Sequence, residues 1–142
     1  MTTGKKINKS EIEKLIPHHG AMCLIDQVDT WNLNTLICSS RSHLNPDNPL
    51  RMNGQLSSIH LIEYGAQSIA IHGGLLRKAK KPGFLAAIRH AEFFIDRIDN
   101  LDSEIIINTK AEVKTDTGAV YEFIITADSQ TLLTSRATVI NF

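Results

Sequence analysis

A proline-free run at 57–78, SSIHLIEYGAQSIAIHGGLLRK, reads as a single long helix. Ser57 or Ser58 supplies an N-cap, and the run closes on cations, which suit the negative end of a helix dipole. Apolar residues fall on most of the circumference: Ile59, Leu61, Ile62, Ala66, Ile69, Ala70, Ile71 and Leu75. Such a helix has to be buried on nearly every side, which a sheet wrapped around it would achieve. At about 100° per residue, His60, Glu63 and Gln67 fall within roughly 60° of one another, on one polar stripe.

The rest of the chain supplies the sheet. Residues 22–28 and 36–44 are rich in aliphatic, β-branched and small side chains, with a turn at 31–34, and read as two strands. Asn45-Pro46-Asp47-Asn48-Pro49 then breaks regular structure before the helix. Beyond Lys81-Pro82-Gly83 four more strands are expected, at 84–94, 103–114, 120–126 and 132–140. Asp116-Thr117-Gly118 and Asp128-Ser129-Gln130 provide the turns between the last three. Such short links favour antiparallel pairing. A short N-terminal helix is also expected, with Ser10 and Glu13 as its capping box and Pro17 ending it at the preceding residue. The expected class is α+β, one domain over 1–142, with a six-stranded antiparallel sheet around one central helix.

Composition removes several kinds of function. With 15 Lys and Arg against 15 Asp and Glu in 142 residues, there is no global basic field to argue for nucleic acid. The charged N-terminus lacks the apolar core of a signal peptide, and no apolar run reaches the roughly 20 residues that span a bilayer. A cytoplasmic protein is expected. Cys23 and Cys38 lie in apolar stretches without CxxC spacing, and read as reduced core thiols. The six histidines form no metal-binding ladder, so neither a metal nor another cofactor is expected.

Three segments carry a resemblance. LIPHHGAMCLIDQVD, at 15–29, resembles the opening L-P-H-R-x-P-x-L-x-x-D of the hotdog-fold 3-hydroxyacyl-[acyl-carrier-protein] dehydratases. LIEYGAQSIAIHGG, at 61–74, resembles their central-helix I-E-x-x-A-Q, and GFLAAIRHAEFF, at 83–94, is similar to their F-L-x-G-I-x-x-A-x-F strand. Order and spacing are kept along nearly the whole chain. The IEYxAQ form and the short preceding loop look most like the dehydratase-like proteins of aryl polyene clusters.

The resemblance implies a hotdog fold, dimerised so that two protomers share each active site, acting on a carrier-bound 3-hydroxyacyl thioester in fatty acid, polyketide or aryl polyene synthesis. Water is eliminated when a base takes the C2 proton and an acid protonates the leaving 3-hydroxyl. In the family, a helix Glu and a His from a G-H-F-P loop divide this work. Glu63 matches the Glu. The corresponding loop here, 45–58, is shorter and contains no His. The same fold carries acyl thioesterases, which leaves hydrolysis as an alternative. A non-catalytic subunit supporting an active dehydratase, in a homodimer or heterodimer, is another.

Glu63 and His60 are therefore the expected catalytic pair, and Gln67 and His19 the expected substrate contacts. An acid in apolar surroundings is favoured in its neutral, proton-donating form, which gives Glu63 its assignment. His60 is the substitute base. His18 is read as a hydrogen-bonding scaffold, His72 as core packing or a dimer contact, and His43 and His90 as polar-face strand residues. The cations at 77–81 belong to a solvated helix end or to a docking site for an acidic acyl carrier protein.

Overall fold

The computed structural model describes residues 6–76 and 83–141. It contains the strands β1 (Ile7–Asn8), β2 (Gln27–Trp31) and β3 (Thr35–Ser40), then β4 (Gly83–Phe93), β5 (Ile105–Thr115), β6 (Gly118–Ala127) and β7 (Gln130–Asn141). A four-residue helix α1 (Lys9–Ile12) follows β1, and the long helix α2 (Leu61–Leu76) lies between β3 and β4. All strand pairs are antiparallel, in the order β1-β2-β3-β5-β6-β7-β4. The sheet thus has seven strands rather than six, because two residues before α1 pair with Gln27 and Val28.

Period-2 alternation places the core. Ile105, Ile107, Thr109 and Ala111 of β5, with Tyr121, Phe123 and Ile125 of β6, turn inward and are buried. Val113 continues the parity of β5 in sequence but is 53% exposed, because the register shifts between Ala111 and Val113. The β6–β7 link is a two-residue turn in which Asp128 and Ser129 both have positive φ, 50° and 63°. That backbone matches strand twist, so pairing begins at Ala127 and Gln130 and β7 starts two residues earlier than expected.

Four local readings are corrected. The capping box of α1 is Asn8 and Glu11, not Ser10 and Glu13: Glu11 N donates to Asn8 Oδ1 at 3.0 Å, and Asn8 N donates to Glu11 Oε1 at 3.3 Å. Glu13 instead accepts from Gly20 N, and α1 ends at Ile12, well before Pro17. The expected strand at 22–28 begins only at Gln27, since the backbone before it is engaged by side chains described below. Likewise the second strand stops at Ser40, and Ser42–Leu44 forms a 3-10 turn.

The helix opens with a 3-10 turn at Ser58–His60, where Ser57 Oγ accepts from Ile59 N at 3.3 Å. Positions 77 and 78, expected at its end, lie outside the described residues, as does the cation cluster at 77–81. One face of α2 (Leu61, Tyr64, Gly65, Ser68, Ile71 and His72) is buried against the sheet. Burial is not all-round, however. Ile59 is 55% exposed, and Ile62, Ala66, Ala70 and Gly73 are only half-buried. A single copy of this sheet leaves one apolar stripe of its helix open, and β4, at the sheet edge, exposes Leu85 beside it.

Candidate active site

Glu63 stands in the first turn of α2 and is exposed, not buried among its apolar neighbours. The reason is angular. At about 100° per residue, Glu63, Ala66, Ala70 and Gly73 share a stripe about 80° wide, which is the open stripe. Glu63 is its acid, and its carboxylate makes no ion pair among the described residues. From Ala66 onward the stripe forms the wall of an apolar cavity of about 180 Å³, closed on the far side by Leu85, Tyr121 and Val139.

His60 does not share this stripe. It belongs to the 3-10 turn that precedes α2, and by the same angular count it falls about 60° from Glu63 on the side away from Ala66 and Gly73. Half-buried, it lines a separate notch of about 540 Å³ with Leu50, Met52, Ser57, Asp96 and Arg97. Arg97 is paired with Asp99, and its guanidinium, with the Leu56 N–H that also donates to Asp99, holds that carboxyl well below the usual carboxylate range. The histidine-free loop above the notch is tightly built. Asn53 and Gly54 have φ of 53° and 74°, and Met52 and Gln55 exchange backbone bonds of 2.8 and 3.0 Å around them. The Arg51 guanidinium then donates to the carbonyls of His43, Asn45 and Gly54 at 2.9, 3.0 and 2.7 Å. At the tip, Met52 is 77% exposed.

Gln67, one turn after Glu63, is 2% exposed and its amide is committed to backbone. Leu24 N donates to Gln67 Oε1 at 2.8 Å, and Gln67 Nε2 donates to Met22 O at 2.8 Å. His19 is exposed and precedes the 3-10 turn Gly20–Met22 without capping it through its side chain. The segment 15–24 follows the helix. Leu15 abuts Gly74, while Met22 and Leu24 meet Gln67, and His18 and His19 come between these two anchors in the chain.

Two of the other histidines, His72 and His43, are structural. His72 is fully buried: Nε2–H donates to Asn32 O at 2.8 Å, so Nδ1 of the neutral ring accepts from Tyr121 Oη at 2.7 Å. Burial holds its pKa below the ordinary imidazole value. His43, expected on a polar strand face, is also fully buried, in the 3-10 turn, with Nε2–H donating to Leu101 O at 2.9 Å. His90 stays exposed at a β4 bulge, with φ of 53°. Among the described residues no group of three His, Cys, Asp or Glu side chains is placed to hold a metal ion, and no helix is long and apolar enough to cross a membrane.

Sequence reasoning missed one cluster. Ser42 Oγ lies 2.8 Å from Tyr64 Oη and donates to Leu24 O at 2.7 Å, and Asn48 Nδ2 donates to Ser42 O at 2.9 Å. Burial pushes the Tyr64 phenol up. The signal was Tyr64 itself, since a tyrosine on the buried face of a helix needs a partner for its hydroxyl.

An antiparallel sheet laid around one long helix is the hotdog fold. The chain belongs to the ApeP-like dehydratase family: the model of that family, described as ApeP dehydratase, matches residues 10–142. In structure it is similar to the dehydratase heterocomplex ApeI:P from Xenorhabdus doucetiae, with a TM-score of 0.82 at 22% identity over 92% of this chain and 90% of that one. A mutant thioesterase from Pseudomonas aeruginosa has the same fold, with a TM-score of 0.62 at 11% identity over 82% of this chain and 80% of that one. So does the E. coli PaaI protein from a phenylacetic acid degradation operon, with a TM-score of 0.62 at 10% identity over 80% of each chain. No curated protein matches by sequence.

Proposed function

We propose that this chain is a subunit of a dehydratase that converts carrier-bound 3-hydroxyacyl thioesters to trans-2-enoyl thioesters, in a site completed by a second hotdog subunit. The observation that carries this is the position of Glu63: an acid at the head of an otherwise apolar helix stripe that the described residues leave partly open. A subunit laid on that stripe would take the carboxyl out of water, which favours its neutral, proton-donating form. Glu63 then protonates the 3-hydroxyl as the C3–O bond breaks. The base removes the C2 proton, and that electron pair becomes the C2=C3 double bond.

His60 was the expected base, but it lines a different cavity from the stripe. The arrangement favours a histidine supplied by the covering subunit, with Glu63 as this chain's contribution. A complex of two related dehydratase subunits, such as the ApeI:P heterocomplex resembled here, is a natural form for it. The acyl chain would run over Ala66 and Ala70 into the apolar cavity, and the donor of the substrate would be an acyl carrier protein.

The test is incubation of the purified chain with 3-hydroxyacyl and saturated acyl thioesters on a carrier protein, alone and with a candidate dehydratase partner. Loss of water in the mixture, abolished by Glu63→Gln in this chain, is the expected result. Release of free acid from the saturated thioester would replace this reading with a thioesterase. Dehydration in the mixture that ignores Glu63→Gln would make the chain a non-catalytic support.

A further inference from the structure

Residues 22–24 belong to no strand, yet their backbone is bonded as if they did. One face of the segment offers Met22 O and Leu24 N, the two groups that a neighbouring strand would take up. Both are taken by one side chain, since the Gln67 amide accepts from Leu24 N at 2.8 Å and donates to Met22 O at 2.8 Å. Leu24 O accepts from Ser40 and Ser42, and Ser42 is joined to Tyr64. Gln67 and Tyr64 are neighbours on α2, so adjacent positions of the helix hold this strap, Gln67 directly and Tyr64 through Ser42.

Gln67 also lies about 40° around the helix from Glu63, on the border between the buried face and the open stripe. The strap it holds therefore forms one rim of that stripe, opposite the rim made by Leu85 and Val139. Met22, at the end of the 3-10 turn, is 44% exposed along it. We infer that Gln67 is a positioning residue: it touches no substrate, and it holds the strap at 19–24 as the wall against which the acyl thioester lies beside Glu63. This rests on the reading of Glu63 given above. A fully buried amide with both ends on backbone is a fixed element, and fixing a wall acts on how well a substrate is held rather than on the proton transfer itself.

The experiment uses the complex active in dehydration, with Gln67→Met and Gln67→Glu in this chain. Methionine keeps the length of the side chain and lacks both bonds, whereas glutamate keeps the acceptor for Leu24 N. In Gln67→Met, amide exchange at Leu24 should accelerate while Ile107 and Phe123 keep their protection. KM for the carrier-bound substrate should rise about tenfold or more with kcat changed by less than about threefold, and Gln67→Glu should recover part of both effects. An unchanged KM in Gln67→Met despite a freed Leu24 amide would overturn the inference, as would a fall in kcat as large as that of Glu63→Gln with KM constant. If Gln67→Met fails to fold, Gln67→Glu carries the same comparison through its lost bond to Met22 O. Absence of dehydration by the unmodified complex is seen before any variant, and would remove the reading of the site and this inference together.

Discussion

Gly65 of the helix and Phe123 of β6 meet with no room for a side chain between them: a Cβ on Gly65 would fall 2.2 Å from Phe123 Cε1. The ring is fully buried and cannot swing aside, so this contact sets how closely the helix seats on the sheet. Gly65→Ala should destabilise the fold by about 1–3 kcal/mol through overpacking. In a Phe123→Leu background the same substitution should cost less, a non-additivity that urea unfolding of the four proteins of the cycle would show. Equal costs in both backgrounds would mean that the helix shifts instead.

Stability should fall on mild acidification. Burial lowers the pKa of His43 and His72 in the fold below the ordinary 6.5. As the pH drops below 6.5 the unfolded chain takes up protons that the folded chain refuses, so the free energy of unfolding decreases with decreasing pH. Urea midpoints should be level between about pH 8 and pH 7 and decline toward pH 5, with a shallower decline in His72→Gln. The lowered pKa of Asp99 adds a separate loss only below its ordinary value of 3.8. A midpoint that rises toward pH 5 would contradict both assignments.

The two thiols should be inert in the folded protein. Cys23 and Cys38 are fully buried, and burial raises the pKa of each, so little thiolate is available to attack. Labelling by a thiol reagent should follow unfolding, with both residues modified together in denaturant. Rapid modification of either one in native buffer would show that its packing is looser than described.

On activity, Glu63→Gln in the dehydrating complex should lower turnover by roughly 10²- to 10⁴-fold with the thermal midpoint unchanged, because shape is kept and the transferable proton is lost. His60→Ala should leave turnover within about threefold if the base belongs to the partner, and cost a factor like that of Glu63→Gln if it does not. His18→Ala and His19→Ala serve as controls on the neighbouring segment, and neither should match Glu63→Gln.

The parts legible in the sequence are those encoded within a few residues. Proline-free periodicity marks the long helix, alternation marks β5, and the turns at 116–118 and 128–130 mark the hairpins. Their type and order, with the motifs around Pro17, Glu63 and Ala91, were enough to point to the fold and the family. The capping box slipped because Asn8 and Ser10 both qualify as caps, and only the backbone path of β1 selects Asn8.

What the sequence by itself determined is thus the long helix and six of the seven strands, their antiparallel pairing, the family, and the presence of an acid at position 63 of an apolar helix. The tertiary structure alone decided what surrounds each polar group. Glu63 is exposed because the sheet stops short of its stripe, His60 faces the notch beside Asp96 and Arg97, and Gln67 replaces a strand neighbour for Met22 and Leu24. His72 finds Tyr121 on β6, far along the chain. Helical and strand periodicities depend on the geometry of adjacent residues, whereas burial and hydrogen-bond partners depend on which distant segments are brought together, and no local pattern records that choice.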